Sequence, residues 1–250
     1  MEQYFKTMDE SYRSKNYPDH SVFKAYEKTL KKKSPAAFII MGIFMAGGLA
    51  GLIWAIGKTL GFSKDGNSDM VPIGIGLSIF FLIVALLFGV ILIILTKDLK
   101  KNTDDWIRQS AKAGGCSEGE IRDFDRQAME ADSLILNHLG PIKSAFTGQK
   151  NGILTKDYIC LYSNDFPNVM KVSGITGAYL TDNTYSVNVG KTTKQAHYLT
   201  ISLVNDNKNT ICAETSKESG MALQELLKNR RPEIDTANGA VLSVEDVRRM

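Results

Sequence analysis

Few residues in this 250-residue chain are spaced for chemistry. Gly190-Lys191-Thr192 has the ending of a phosphate-binding loop, in which backbone amides cradle phosphate and the lysine reaches its outer oxygens. That loop needs a glycine five positions before Gly190, where Tyr185 stands, and a helix after it, where His197–Val204 alternates like a strand. A hairpin turn fits these residues better. The three histidines, His20, His138 and His197, are scattered, and neither HExxH nor Gly-x-Ser-x-Gly occurs. Cys116, Cys160 and Cys212 form no CxxC pair and no zinc-spaced cluster, so they read as reduced thiols. A Cys160–Cys212 bridge would need their strands to adjoin. Asp123, Asp125, Arg126, Glu130 and Asp132 crowd one helical face. Paired carboxylates do acid–base work, but no nucleophile or metal cluster lies near them, and a solvated face is the simpler reading. No catalytic, metal-binding or cofactor-binding residue is assigned, and no cofactor is expected.

The elements that would position any site are organised around Ser34 to Thr96. Two runs there, Ser34–Gly57 and Met70–Thr96, carry no charged residue. Each exceeds the roughly 20 residues that cross a hydrocarbon core about 30 Å thick. Backbone polar groups find no water in lipid, so each run should be a helix. The reading is a transmembrane hairpin, with spans at about 35–57 and 71–95 and an outer turn at 58–70. No ionisable residue lies within either span, which removes a proton relay or gating charge.

Lysines set the orientation. Lys28, Lys31, Lys32 and Lys33 precede the first span, and Lys97, Lys100 and Lys101 follow the second. The turn holds only Lys58 and Lys64, against Asp65 and Asp69. The positive-inside rule then puts both termini in the cytoplasm of a multi-pass protein of the cell membrane. The same lysines attract anionic lipid. Gly42, Ala46 and Ala50 recur at four-residue spacing beside Gly47 and Gly51. Such small residues let helices approach closely, within the hairpin or against another membrane protein or a second copy. Gly74/Ser78 and Ala85/Gly89 offer the same spacing in the second span.

Charge is local. Before Ser34 there are 8 Lys/Arg against 5 Asp/Glu; after Thr96 the count is 20 against 20. A balanced soluble part argues against nucleic acid as a partner, which needs a basic face. In residues 1–33, Val22, Tyr26 and Leu30 recur at helical spacing between lysines, which fits either a helix lying on a membrane surface or a frayed tail whose lysines only set the topology. Residues 97–140 read as a helical connector. Thr103 precedes Asp104-Asp105, Ser117 and Glu120 form a capping box, and an apolar face runs from Ile121 to Ile135 before Gly140-Pro141.

From about Lys143 to Thr215, in a domain read as 141–232, the pattern changes to period two with β-branched and aromatic residues. Predicted strands are Ser144–Gln149, Gly152–Tyr162, Val169–Val172, Ile175–Leu180, Thr184–Val189, His197–Val204 and Thr210–Glu214, with Asp182-Asn183 as a turn. One helix follows, capped by Ser216 and stopped at Arg230-Arg231-Pro232. Residues 233–250 read as a polar tail in which Ser243 could cap a last turn. The fold class expected is therefore α+β: a two-helix transmembrane hairpin, a helical connector, and a small cytoplasmic antiparallel β-domain closed by a C-terminal helix.

Three stretches carry a resemblance. They are Gly152-Ile-Leu-Thr-Lys-Asp-Tyr-Ile-Cys-Leu-Tyr162, Val169-Met-Lys-Val-Ser-Gly-Ile-Thr-Gly-Ala-Tyr179 and Leu226-Leu-Lys-Asn-Arg-Arg-Pro-Glu-Ile234. In this order, in a match of about 90 residues from Lys143 to Pro232, they resemble the pleckstrin-homology-like domains of bacterial membrane proteins. With the hairpin, the chain is similar to two-span membrane proteins of Gram-positive bacteria. The resemblance implies a fold and a location, and neither a reaction nor functional residues. The function expected is a membrane-anchored, non-enzymatic interaction protein whose partners are the lipid bilayer and a membrane or cytoplasmic protein, with a homo-oligomer also open. Recognition of an anionic lipid or peptide by the β-domain and service as an accessory subunit of a transporter are the alternatives. An enzyme is the less expected class.

Overall fold

The computed structural model describes residues 4–139, 151–163, 166–189 and 192–249. Strand β1 (Phe5–Thr7) and helix α1 (Glu10–Asn16) open the chain. Two long helices follow, α2 (Val22–Lys64) and α3 (Val71–Lys100), then two short ones, α4 (Thr103–Gly114) and α5 (Glu118–Gln127). Strands β2 (Leu134–Leu136), β3 (Gly152–Leu154), β4 (Tyr158–Ser163) and β5 (Phe166–Lys171) come next. Strands β6 (Ile175–Val189), β7 (Thr192–Asn205) and β8 (Thr210–Thr215) follow them. Helix α6 (Lys217–Arg230), β9 (Val241–Ser243) and α7 (Val244–Arg249) end the chain. These elements form two compact units, one of Met1–Glu27 with Thr103–Met250 and one of Lys28–Asn102.

The first unit is built on two sheets, ordered β1-β2-β3-β4-β5 and β8-β7-β6-β9. All pairings are antiparallel except β9, which lies parallel to β6. Alternation decides which face turns inward. In β8, Ile211 and Ala213 are buried while Thr210 and Glu214 point outward. The inner faces meet in one core that includes Leu154, Ile159, Leu161, Met170, Leu180, Ile201 and Leu203, closed by Leu223 and Leu227 of α6. Strand β4 is buried on its other face as well, because an aromatic layer covers it. Phe23, Tyr26, Trp106, Phe124, Tyr158 and Phe166 pack there, mostly edge to face, with ring centroids 5.1–6.5 Å apart.

That layer recruits the beginning of the chain. The apolar side of Val22 and Tyr26, expected against a membrane surface, is buried in this unit. Asp125, expected on a solvated face, caps α2 from across the fold. It accepts from the Ser21 hydroxyl at 2.6 Å and the Val22 amide at 2.7 Å. A carboxylate suits the positive end of a helix. Burial nevertheless pushes its pKa up, against the lowering by Ser21 and the amides.

Several local readings change in three dimensions. The helix read through Ile135 stops at Gln127, and Leu134–Leu136 becomes β2, paired on both sides by β1 and β3. A short Leu-Ile-Leu run has no period of its own, so pairing partners decide it. The Ser133 hydroxyl donates to the Gln127 carbonyl at 2.7 Å and so satisfies the helix end. Gly152–Tyr162, read as one strand, folds back at Thr155 into β3 and β4, where the Tyr158 amide donates to the Thr155 hydroxyl at 3.0 Å. Asp182-Asn183, read as a turn, continues β6 without a break, because β7 pairs along its length. In the segment read as a tail, Ile234 enters the core and β9 joins the sheet. The predicted strand Ser144–Gln149 lies outside the described residues.

The capping box is present: the Ser117 hydroxyl accepts from the Glu120 amide and the Glu120 carboxylate accepts from the Ser117 amide. Lys171 adds an ion pair to Glu120 at 2.9 Å. The Ser117 amide and then Lys171 hold the Glu120 pKa down, from 4.5 to about 2. A depressed folded pKa means stability that is present above the unfolded value and lost as pH falls through the folded one. The wild-type unit should therefore lose more stability than Glu120→Gln between about pH 5 and pH 2, as read from urea midpoints.

The second unit is a helical pair. Helix α2 has 43 residues and runs through Pro35. At 1.5 Å per residue that is about 64 Å, roughly twice a hydrocarbon core. Both α2 and the helical stretch Ser68–Lys100 are long and apolar enough to cross a membrane. Their large apolar side chains point outward, with Ile53 73% and Leu86 60% exposed. The helices touch along a seam of positions 44, 48, 51 and 59 on α2. Phe44 stacks on Phe88 at 4.8 Å, and added methyl groups at Gly48, Gly51 and Gly74 would meet Ala85, Phe81 and Thr59. Spacings of four and three between positions 44, 48 and 51 keep them on one face of α2.

Candidate binding site

The outward face of the second sheet is polar. Register pairs Thr181 with Thr200, Asn183 with Tyr198, and Ser202 with Cys212, so these side chains share one face. The opposite face carries Leu180, Ile201 and Leu203 into the core. A polar sheet face is usually solvated. Here it is partly roofed. Strand β9 adds to β6 at Leu180–Asp182, and the chain turns into α7 through Ser243, whose hydroxyl accepts from the Asp246 amide at 3.2 Å. Val244 and Val247 then face the sheet, with Tyr162 and Ser163 at the end of β4. The half-open cleft so formed has a volume of about 570 Å³.

Its polar groups are specific in number and direction. The Asn183 side-chain amide donates to the Thr200 hydroxyl at 3.0 Å and to the Thr181 carbonyl at 3.3 Å. Thr181 is only 3% exposed, and its hydroxyl oxygen has no hydrogen-bond partner. An unsatisfied buried hydroxyl costs about 1–3 kcal/mol. Glu214 is the only charged side chain among the described residues of the wall. Cys212 reaches the cavity half-buried and is a free thiol, as are Cys116 and the fully buried Cys160. Burial raises the Cys160 pKa well above the usual thiol range.

No family model, curated protein or solved structure matches this chain. The site must therefore be read from its own geometry.

A second cluster looks catalytic by residue type. Asp182, Thr184 and His197 meet on the other face of β6 and β7, with His197 Nδ1 at 3.0 Å from the Thr184 hydroxyl and 3.3 Å from Asp182. A proton relay needs the carboxylate on one ring nitrogen and the hydroxyl on the other. Both partners here face the same nitrogen, on a side chain that is 56% exposed. Among the described residues, no group of three His, Cys, Asp or Glu side chains could hold a metal ion.

The residues singled out from the sequence lie elsewhere, in the helical unit. Lys28, Lys31 and Lys32 are exposed on α2, and Lys97 and Lys100 are exposed on the last turns of α3. Lys101 pairs with Asp98 at 2.8 Å, and the side chain of Lys33 lies outside the described residues. Of the small residues, Gly51 meets Phe81, whereas Gly42 and Gly47 have no atom within 4 Å of an added methyl group, and Ala46 and Ala50 are exposed. The seam uses Gly48 instead, which a four-residue repeat passes over. The polar cavity left no sequence signal beyond the alternation of Thr181/Asn183, Thr200/Ser202 and Cys212/Glu214. Those residues look like any solvated strand face until α7 covers them.

Proposed function

We propose that this chain is a membrane-anchored, non-enzymatic interaction protein. The helical hairpin holds it in a bilayer, and the two-sheet unit is a pleckstrin-homology-like domain presented at the cytoplasmic face. One observation carries this reading: the hairpin leaves and re-enters a single folded unit. Glu27 and Thr103 flank the hairpin, and the Thr103 hydroxyl donates to the Glu27 carboxylate. Both flanks must then lie on one side of any bilayer the hairpin crosses. The lysines at those flanks favour the cytoplasmic side. Outward Ile43, Ile53 and Leu86 would be costly in water, which supports lipid as their cover. The strand order supports the domain reading: a four-strand meander β2–β5, a three-strand meander β6–β8, then α6.

Exposed Lys28, Lys31, Lys32, Lys97 and Lys100 also favour anionic headgroups as neighbours, at about 1 kcal/mol each near a surface. Thiol labelling tests the orientation. In a Cys116→Ser, Cys212→Ser background, Gly66→Cys should react with a membrane-impermeant maleimide on intact cells. Lys15→Cys should react only after permeabilisation. Equal labelling of both would sink the topology. Crosslinking of the full-length protein in its native membrane, read by mass spectrometry, should yield a protein partner through the two-sheet unit; crosslinks confined to lipid would count against the interaction role.

A further inference from the structure

We infer that the open edge of β6, Asn183–Val189, pairs antiparallel with the same edge of a second copy of this chain and so makes a twofold dimer. The β6–β7 hairpin outgrows its neighbours. Strand β8 pairs with β7 only over Leu199–Val204, and β9 pairs with β6 only over Leu180–Asp182. Past Asp182, the described pairings of β6 are with β7 alone, Asn183–Val189 against Thr192–Tyr198. At about 3.4 Å per residue, this two-stranded arm runs roughly 24 Å beyond the rest of its sheet. Two strands by themselves are marginal in water, and an edge offers its backbone donors and acceptors to another chain.

Sequence decides which edge is open and what fits it. Edges are normally guarded by charge, proline or a bulge. Asn183-Thr-Tyr-Ser-Val-Asn-Val189 has neither charge nor proline, and the register shift of β6 lies far back, between Ile175 and Gly177. The β7 edge is guarded: self-pairing there, centred on Gln195, would set the two copies' Lys194 on a diagonal about 7–8 Å apart. Self-pairing of β6 meets no such repulsion. Its whole open edge is used when the twofold passes through Ser186, as isologous contacts require. That register sets Tyr185 opposite Val187 twice, and Thr184 opposite Asn188 twice, with Ser186 opposite itself. Aromatic with β-branched and polar with polar are favourable cross-strand pairs. Only the outermost pair, Asn183 with Val189, is mixed. The dimer uses the two-sheet unit alone, so it stands whether or not the hairpin lies in a bilayer.

Disulfide formation tests the register. In the full-length protein in detergent, with Cys116→Ser and Cys212→Ser, a cysteine at the twofold faces its own copy. Ser186→Cys should therefore give a covalent dimer under mild oxidation, at least tenfold faster than Thr184→Cys. Position 184 lies four residues from its own copy, about 14 Å, beyond the roughly 7 Å limit for a disulfide. Thr184→Cys with Asn188→Cys should restore the fast reaction, because the two are opposite. Val187→Lys, added to Ser186→Cys, recreates on β6 the diagonal repulsion of the β7 edge. It should slow crosslinking about tenfold while leaving the melting midpoint unchanged, since residue 187 stands on the arm. Equal rates for Ser186→Cys and Thr184→Cys, no dimer from Ser186→Cys, or a rate indifferent to Val187→Lys would each overturn the assignment.

Discussion

Replacing Gly114 by alanine should destabilise the two-sheet unit by about 3 kcal/mol or more, at or beyond the upper end for overpacking. An added methyl group there would overlap the carbonyl oxygen of Val169 and lie 2.7 Å from its carbon. Both are main chain, so no rotamer change relieves the clash. Helix α4 would have to lift from β5. The lift would cost the bond from the Val169 amide to the Ser110 hydroxyl, now 3.2 Å, and the bond from the Asn205 side chain to the Gly114 carbonyl, also 3.2 Å. Circular dichroism melting of the full-length protein should show a midpoint lower by roughly 10 °C. Gly119→Ala is the matched control. The nearest atom to its methyl group is 3.9 Å away, so the residue should gain the usual helical benefit of about 0.4–1 kcal/mol. A Gly114→Ala midpoint equal to wild type would mean that α4 is not seated on β5.

Phe23→Ala should cost about 3–5 kcal/mol, the range for a fully buried aromatic. Phe23 is 0% exposed and meets Phe124 edge to face at 6.5 Å. Its loss would open the aromatic layer next to the Asp125 cap on Ser21 and Val22. The start of α2 should then become accessible, so trypsin should cut at Lys24 and Lys28 faster in the variant. Ile53→Ala, at a residue 73% exposed, should leave both the melting midpoint and the cleavage rate of this region unchanged. Unaltered cleavage in Phe23→Ala would detach the amino-terminal segment from the two-sheet unit. That outcome would also remove the main support for placing both flanks of the hairpin on one side.

Much of the architecture was legible because it rests on local rules. Long uncharged runs specify helices that need an apolar cover, wherever that cover comes from. The Ser117–Glu120 box and the Ser216 cap are recognisable because a cap satisfies backbone groups a few residues away. Strands β7 and β8 announce themselves by alternation that matches a half-buried face. Leu134–Leu136 did not, because an apolar run of three can extend any helix that precedes it. The Asp182-Asn183 pair misled for a related reason. Asx residues favour turns when nothing else engages them, but here β7 pairs beside them and Asn183 bonds to Thr200 across the strands.

By itself, the sequence determined two apolar helices, their lysine flanks, and an α+β remainder rich in antiparallel strands. Each follows from residue type over a short window, where burial and hydrogen bonding are decided by near neighbours. Tertiary structure alone decided three other things. It joined residues 1–27 to the two-sheet unit, because the partners of Phe23 and Ser21 are Phe124 and Asp125, about a hundred positions away. It chose Gly48 and Gly51 over Gly47 for the helical seam, because they meet Ala85 and Phe81 of the second helix while Gly47 meets nothing. It made a cavity from an ordinary polar strand face, because α7 folds back over Thr181 and leaves a buried hydroxyl without a partner. Such long-range pairings depend on where chain segments meet, and no local pattern encodes that meeting.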